Sequence, residues 1–203
     1  MKSLILVLGL LFFGTAAFAQ SASPERVVLQ TNHGKIVIEL DLAKAPRSSK
    51  SFLENVDAGI YNGSIFHRVI PNFMIQGGGF LPEMKPIETD KALINEADNG
   101  LKNLRGTVAM ARRADPDSAS IQFFVNVVDN AALDHTSKSP QGWGYAVFGR
   151  VVEGMDVADA ISKVARGRFG AFGDVPDSPV VVESAKRLAL DHADDEESSA
   201  AEE

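Results

Sequence analysis

Residues Phe66 to Gly78 read F-H-R-V-I-P-N-F-M-I-Q-G-G, a run of bulky apolar residues with one arginine and one glutamine among them. Side chains two positions apart on a β-strand point to the same side of the sheet. Apart from an interruption at Pro71 and Asn72, one side would therefore carry Phe66, Arg68, Ile70, Met74 and Gln76. An unpaired guanidinium in an apolar wall is strongly unfavourable. On this segment alone, Arg68 is either a functional residue or the partner of a distant carboxylate at the edge of the core.

Short apolar runs, separated by turn residues, flank this segment on both sides. The first two are joined around Asn32-His33-Gly34, a hairpin pattern. Together the runs predict strands at residues 27–30, 35–40, 65–70, 74–76, 107–112, 122–127, 146–151 and 180–187. Apolar residues at helical spacing predict two helices, at 45–59 and 155–164. Many short strands with only two helices favour a closed β-barrel over alternating strands and helices.

The N-terminus has the pattern of a secretory signal peptide, which we assign to residues 1–19. A lysine at position 2 precedes an apolar run, and Ala17-Phe18-Ala19 matches a cleavage site. The alternative is an uncleaved membrane anchor, but the uncharged run is short for a span of about 20 residues. The absence of cysteine excludes a lipid anchor and disulfides. We therefore expect a periplasmic protein of a Gram-negative bacterium, with no membrane contact after the signal is removed.

The net charge of −7 belongs to one end of the chain. Seven acidic residues and no base follow from Asp191 onward, so 20 acidic and 20 basic residues remain for the rest of the chain. Such a neutral body gives no electrostatic support to a nucleic-acid partner. We predict a short lead at 20–26, a single domain at 27–190 and an acidic disordered tail at 191–203.

Several common kinds of catalytic site lack their residues. The four histidines, at positions 33, 67, 135 and 192, do not have the spacing of a metal site. There is no cysteine and no G-x-S-x-G motif for nucleophilic catalysis. The glycines at 77–79 are not followed by the G-K-[ST] of a phosphate-binding loop. We therefore expect neither a metal nor a cofactor.

Further motifs accompany Phe66–Gly78 in order along the chain. They are M-A-R at Met110–Arg112, Q-F-F-V at Gln122–Val125, L-D at Leu133–Asp134 and Y-A-V-F-G-R-V at Tyr145–Val151. With them the sequence strongly resembles the cyclophilin family of peptidyl-prolyl isomerases, over residues 27–188, and its exported bacterial members most closely. The resemblance implies a mainly β fold, a closed eight-stranded antiparallel barrel capped by two helices, in agreement with the predicted elements.

The resemblance also implies a set of site residues. Arg68, Phe73 and Gln76 would be catalytic, with Gln76 holding Arg68. The implied substrate-binding residues are Phe66, His67, Met74, Ala111, Arg112, Gln122, Phe124, Leu133 and Tyr145. Without the resemblance, most of the apolar members would be interpreted as ordinary core.

The sequence departs from the family pattern at a few positions near this site. Ala132 stands where some members carry a tryptophan that contacts cyclosporin, so we expect cyclosporin to bind weakly. Arg112 replaces a common asparagine, and only its backbone role transfers. Tyr145 replaces a common histidine but keeps a hydrogen-bonding tip. Ile121 and Gly79 also depart from the pattern, and the sequence offers no account of either.

The resemblance predicts a monomeric prolyl isomerase that acts on proline-containing unfolded or exported polypeptides. A binding module or holdase chaperone with the same proline pocket is the main alternative. Arg68 favours the enzyme, because a protein that only binds proline does not need the guanidinium. A small-ligand barrel of the lipocalin type is disfavoured by the glycine-interrupted motifs and the helix in mid-chain.

Overall fold

A computed structural model describes residues 24–89 and 91–188 of the protein. The strands are β1 (Arg26–Thr31), β2 (Gly34–Leu40), β3 (Phe66–Ile70), β4 (Met74–Gly77), β5 (Phe80–Leu81), β6 (Lys85–Pro86), β7 (Thr107–Met110), β8 (Phe123–Asn126), β9 (Val147–Glu153), β10 (Arg166–Phe169), β11 (Phe172–Pro176) and β12 (Val182–Arg187). The helices are α1 (Pro46–Asp57) and α2 (Met155–Ser162). The predicted signal peptide at 1–19, residues 20–23 of the lead and the acidic tail at 191–203 lie outside the described residues.

Eight strands form one strongly curled antiparallel sheet in the order β12-β1-β2-β9-β7-β8-β4-β3. Its two ends meet where Ile65 forms a bridge with Val181. The Phe66 amide donates to the Val180 carbonyl at 2.9 Å, and the Val182 amide donates to the Ser64 carbonyl at 2.8 Å. The predicted mainly β barrel with two helices is therefore confirmed.

The two faces of the sheet have different roles. On the inner face, Phe123 belongs to a buried aromatic group with Phe52 of α1, Tyr61 and Phe148, whose ring centroids lie 5.1–5.4 Å apart in the closest pairs. On the outer face, Met74, Ala109, Phe124 and Val147 form a second, smaller cluster. Adjacent residues such as Phe123 and Phe124 thus belong to different clusters because strand side chains alternate.

An irregularity between β3 and β4 changes this alternation in the segment Phe66–Gly78. Phe66 pairs with Gly77 and Arg68 pairs with Gln76, so two residues of β3 are matched against one of β4. Such a bulge shifts the side-chain alternation by one residue. Phe66 and Val69 both lie in the core as a result, whereas Arg68 and Ile70 face outward. The expectation that Phe66 shares a side with Arg68 is therefore wrong.

Helix α1 depends on a distant carboxylate at its N-terminus. Its N-cap residue, Ala45, supplies no side-chain hydrogen bond. Glu96 takes this role, accepting hydrogen bonds from the Arg47 and Ser48 amides at 3.0 and 2.8 Å and from the Ser48 hydroxyl at 2.8 Å. A negative charge here also interacts favourably with the helix dipole. Glu96 thereby fixes the helix that delivers Phe52 to the core.

Two short hairpins were not predicted from the sequence. β10 pairs with β11, and β5 pairs with β6. The segment 166–176, R-G-R-F-G-A-F-G-D-V-P, lacks an alternating apolar pattern, so it carries no strand signal. A further feature of the fold is the length and apolar character of its helices. Among the described residues, no helix is both long enough and apolar enough to cross a membrane.

We predict that Glu96→Ala lowers the free energy of unfolding by about 2–3 kcal/mol, because it leaves three buried or partly buried donors without an acceptor. Glu96→Gln should lower it by less, since it keeps one acceptor oxygen. Urea unfolding at neutral pH measures both changes, with Glu88→Ala at an exposed position as the control. An Ala variant as stable as the control would show that water replaces the carboxylate.

Candidate active site

A small cavity of about 120 Å³ opens on the outer face of the sheet; we call it the outer-face cavity. Its lining unites most of the predicted site residues: Arg68, Phe73, Met74, Gln76, Ala111, Arg112, Phe124, Leu133 and Tyr145. They come from β3, β4, β8 and the segments that follow β3, β7 and β8. Since a water takes about 30 Å³ in the liquid, the volume equals roughly four waters. It suits one small apolar group.

Arg68 lies at the border of this cavity with its side chain 43% exposed. Its Nε atom is 4.0 Å from the Asp174 Oδ2 atom on β11, too far for a hydrogen bond. Asp174 also pairs with Arg166, whose Nε atom lies 3.3 Å from Oδ1. Within residues 24–89 and 91–188, no hydrogen bond from the Arg68 guanidinium is present. A distant carboxylate does approach Arg68, but it leaves the donors of the guanidinium available.

Gln76 lies directly across from Arg68 on the neighbouring strand, yet it does not hold the arginine as the resemblance implied. Its Nε2 atom donates to Gln122 Oε1 at 2.9 Å. Gln122 has room for this contact because residue 79 is glycine. A Cβ at Gly79 would lie 2.3–2.4 Å from the Gln122 side chain. This accounts for Gly79, which the sequence left unexplained.

Tyr145 and Arg112 form one wall of the outer-face cavity. The Tyr145 ring meets Phe124 edge to face at 5.6 Å. The Arg112 guanidinium lies 4.9 Å from the centre of the Tyr145 ring, and its Nε donates to the Gly144 carbonyl at 2.8 Å. These contacts hold the Arg112 side chain against the wall, while the Ala111 amide donates to the Gln122 carbonyl at 2.9 Å.

Three asparagines that sequence reasoning missed hold the opposite wall. Asn130 Nδ2 donates to the Phe73 carbonyl at 2.9 Å and to Asn126 Oδ1 at 2.7 Å. Asn103 Nδ2 donates to the Leu133 carbonyl at 3.1 Å. Asn126 and Asn103 are buried and joined to each other at 3.2 Å. Only the position of Asn126 directly after Q-F-F-V hinted at this network, because its partners are remote in sequence.

Phe66 and His67 do not line the outer-face cavity. Phe66 is fully buried, with its ring edge to face with Phe123 in the core. His67 is 5% exposed and packs against Phe80 at a centroid distance of 4.6 Å. Burial lowers the pKa of His67 to about 4. Its Nδ1 atom has no hydrogen-bond partner among the described residues.

A second cavity of about 500 Å³ lies on the other side of Arg68 and Gln76; we call it the hairpin cavity. It lies between these two residues and His67 on one side and residues 171–174 of the β10–β11 hairpin on the other. Arg68 and Gln76 line both cavities, so the two adjoin at these residues.

Comparison with known proteins gives the same family at every level of similarity. The family model "Cyclophilin type peptidyl-prolyl cis-trans isomerase/CLD" matches residues 26–187. A Streptomyces antibioticus peptidyl-prolyl cis-trans isomerase is 59% identical over 162 residues, covering 80% of this chain and 98% of its own. Peptidyl-prolyl cis-trans isomerase A of Dickeya dadantii is 52% identical over 186 residues, covering 92% of this chain and 95% of its own.

The fold is also similar to that of a solved structure. A cyclophilin-type peptidyl-prolyl cis-trans isomerase of Cryptosporidium parvum, crystallised in the presence of the dipeptide Ala-Pro, matches with a TM-score of 0.69. The match covers 81% of this chain and 99% of that one, at 24% identity. At this identity the likeness concerns the fold.

The buried His67 predicts a specific pH dependence of stability. Its pKa is about 4 in the folded protein and about 6.5 unfolded, so below pH 6.5 only the unfolded chain takes up the proton. Stability is therefore fully retained above pH 6.5, and this group lowers it by roughly 3 kcal/mol as the pH falls to 4. His67→Phe should remove that loss, because the ring keeps its packing and cannot be protonated.

Urea unfolding between pH 4 and 8 tests this prediction by the difference between the wild type and His67→Phe. His33→Gln, in an exposed turn, is the matched control and should follow the wild type. A difference that stays constant across this range would refute the assignment to His67.

Proposed function

The chain belongs to the cyclophilin family of peptidyl-prolyl cis-trans isomerases, and we propose that Arg68 assists this reaction during the folding of exported polypeptides. The observation that carries the mechanism is the position of Arg68. Its half-exposed guanidinium, with donors available, borders a cavity of the size of a small ring, part of whose wall is apolar. That cavity would receive the proline, and the guanidinium would face the bond that rotates.

The reaction needs rotation about a partial double bond rather than bond cleavage. The barrier is about 18–20 kcal/mol, so an X-Pro bond isomerises unaided in tens to hundreds of seconds. Reaching about a millisecond requires the barrier to fall by about 6–7 kcal/mol. In the twisted transition state the amide resonance is lost and the proline nitrogen regains a lone pair. A guanidinium that donates to this nitrogen stabilises the twisted form more than either planar form, which is the condition for catalysis.

The other residues of the cavity would hold the substrate in place for this step. Phe73, Met74, Phe124 and Leu133 supply the apolar surface for the proline ring. Gln76 is bonded to Gln122, which lines the hairpin cavity rather than this one, and the two would present amide groups toward the substrate backbone. Because Arg112 is held by Gly144 and Tyr145, its side chain serves the wall of the cavity. No step in this mechanism requires a metal or a cofactor.

The setting of the reaction is inferred from the ends of the chain. The signal-peptide pattern at 1–19 supports export, and the bacterial relatives are compatible with a periplasmic enzyme. Its partners would be proline-containing unfolded or exported polypeptides, and the protein would act as a monomer. Ala132 is exposed in the turn beside Leu133, which supports weak binding of cyclosporin.

We expect Arg68→Ala to lower kcat/KM for a short Ala-Pro peptide by about 100-fold or more while the protein remains folded. Arg68→Lys should recover only part of the loss, because an ammonium lacks the planar set of donors. A protease-free cis-to-trans assay measures both, and Arg113→Ala, at an exposed neighbouring arginine, is the control. If Arg68→Ala keeps wild-type turnover, the mechanism is wrong. If the wild type shows no turnover but suppresses aggregation, the holdase alternative replaces it.

Asp174 is expected to orient Arg68. Its backbone is left-handed, with φ of 57°. This conformation is unfavourable for residues other than glycine, and such residues concentrate at functional sites. Because Asn also tolerates this backbone, Asp174→Asn removes only the charge. It should lower kcat about two- to fivefold with KM unchanged, a difference that high salt abolishes.

The matched control for this charge is Asp177→Asn, at an exposed position directly after β11. Steady-state kinetics at low and high ionic strength distinguish the variants. A rise in kcat for Asp174→Asn would mean that the carboxylate competes with the substrate for Arg68, contrary to this prediction.

A further inference from the structure

The tip of the β10–β11 hairpin carries two exposed aromatic side chains. Phe169 and Phe172 are 50% and 43% exposed and are cross-strand partners, separated by Gly170 and Ala171. In the described part of the chain, the other large apolar residues with comparable exposure are Ile94, Leu104, Val152 and Leu188, each on a different segment. Single exposed apolar residues are common, whereas Phe169 and Phe172 lie side by side and form one apolar patch.

This aromatic pair is fixed relative to the catalytic arginine. The Phe172 ring packs edge to face on Phe80 at 5.3 Å, and Phe80 packs on His67, the residue before Arg68, at 4.6 Å. The same strand that holds Phe172 also brings Asp174 to within 4.0 Å of Arg68. The hairpin is therefore attached to the site at two points, and Phe172 is oriented by packing rather than free in solvent.

The hairpin cavity extends from Phe172 of this pair to Arg68 and Gln76, at the border of the outer-face cavity. Its walls include Phe80, Ala171 and Phe172, and it shares Arg68 and Gln76 with the smaller cavity. At about 500 Å³ against about 120 Å³, it has room for a large side chain where the other has room for a small ring. A chain that places proline in the small cavity would therefore pass the larger one.

We propose that the hairpin cavity and the exposed rings of Phe169 and Phe172 form a second subsite, which binds an aromatic or large aliphatic side chain of the polypeptide whose proline is being isomerised. The occupant is a residue a few positions from the proline, since an extended chain advances about 3.3 Å per residue. Unfolded polypeptides expose such side chains and native surfaces rarely do. The subsite thus selects unfolded chains. The inference rests on the proposed function, because that function defines where the proline lies.

The test compares peptides and variants in one isomerisation assay. The peptides are a short Ala-Pro peptide and a series of nine-residue peptides with one phenylalanine at successive positions on either side of Ala-Pro. The variants are Phe169→Ser with Phe172→Ser, and as a matched control Leu104→Ser with Val152→Ser, two apolar residues 52% and 41% exposed elsewhere. Thermal unfolding verifies that each variant is folded.

For the wild type and the control, phenylalanine at one or two positions should raise kcat/KM about three- to tenfold over the peptide without it. The hairpin variant should lose this gain and keep wild-type turnover of the short peptide. An equal gain in the hairpin variant would overturn the proposal, and so would the absence of a gain at every position in a wild type that turns over the short peptide. Lost turnover of the short peptide in the hairpin variant would also overturn it, because the rings of Phe169 and Phe172 would then be needed for the isomerisation step itself.

The same peptides separate this inference from the proposed function. Fluorescence anisotropy measures binding of the best phenylalanine peptide to Arg68→Ala, with and without the two hairpin substitutions. Binding that depends on the hairpin while the wild type has no turnover would refute the catalytic mechanism and leave the subsite intact. If the wild type has turnover but peptide binding is the same with and without the hairpin substitutions, the subsite would be refuted and the catalytic mechanism would stand.

Discussion

The bulge between β3 and β4 is the constraint on which the site depends. A regular strand places residues two apart on the same side, so Phe66 in the core would bring Arg68 into the core with it. The extra residue of β3 at His67 breaks this rule, and it buries Phe66 and Val69 while Arg68 faces outward beside Gln76. A guanidinium in the barrel interior would be heavily penalised. The bulge thus allows an outward-facing arginine, which we propose to be catalytic, and a close-packed core to occupy the same five-residue strand.

One face of the sheet packs in the core and the other lines the cavity, so the core holds the cavity wall in place. Phe123 and Val125 fill the barrel, while Phe124 between them is part of the cavity wall. Movement of the wall would therefore disturb the core, which is packed around Phe52 and Tyr61. The asparagine network supports the opposite wall through backbone carbonyls. The proposed mechanism, which acts by orientation and electrostatics without a reactive group, needs a frame of this kind.

The β10–β11 hairpin gives this member of the cyclophilin family an additional surface next to the site. It contributes a carboxylate near Arg68 and an aromatic pair exposed to solvent. Neither is needed to close the barrel, since the end strands meet through Ile65 and Val181. In our proposal, the outer-face cavity binds the proline and the hairpin cavity binds a large apolar side chain that an unfolded substrate exposes near it.

Local patterns in the sequence predicted the barrel class and the eight main strands. Most members of the outer-face cavity were predicted from the resemblance of the motifs to the cyclophilin family, because the residue pattern alone would assign the apolar ones to ordinary core. The sequence did not predict the inward position of Phe66, the contacts around Arg68 or the β10–β11 hairpin. A bulge changes the side of the sheet to which a side chain points, but it leaves the apolar and polar pattern of the sequence unchanged. The approach of Asp174 to Arg68 joins residues that are far apart in the chain. The segment 166–176 has no alternation, so its pairing comes from its neighbours. Only the tertiary structure decides such features, because side-chain facing, long-range contacts and exposure result from packing between segments that no local pattern connects.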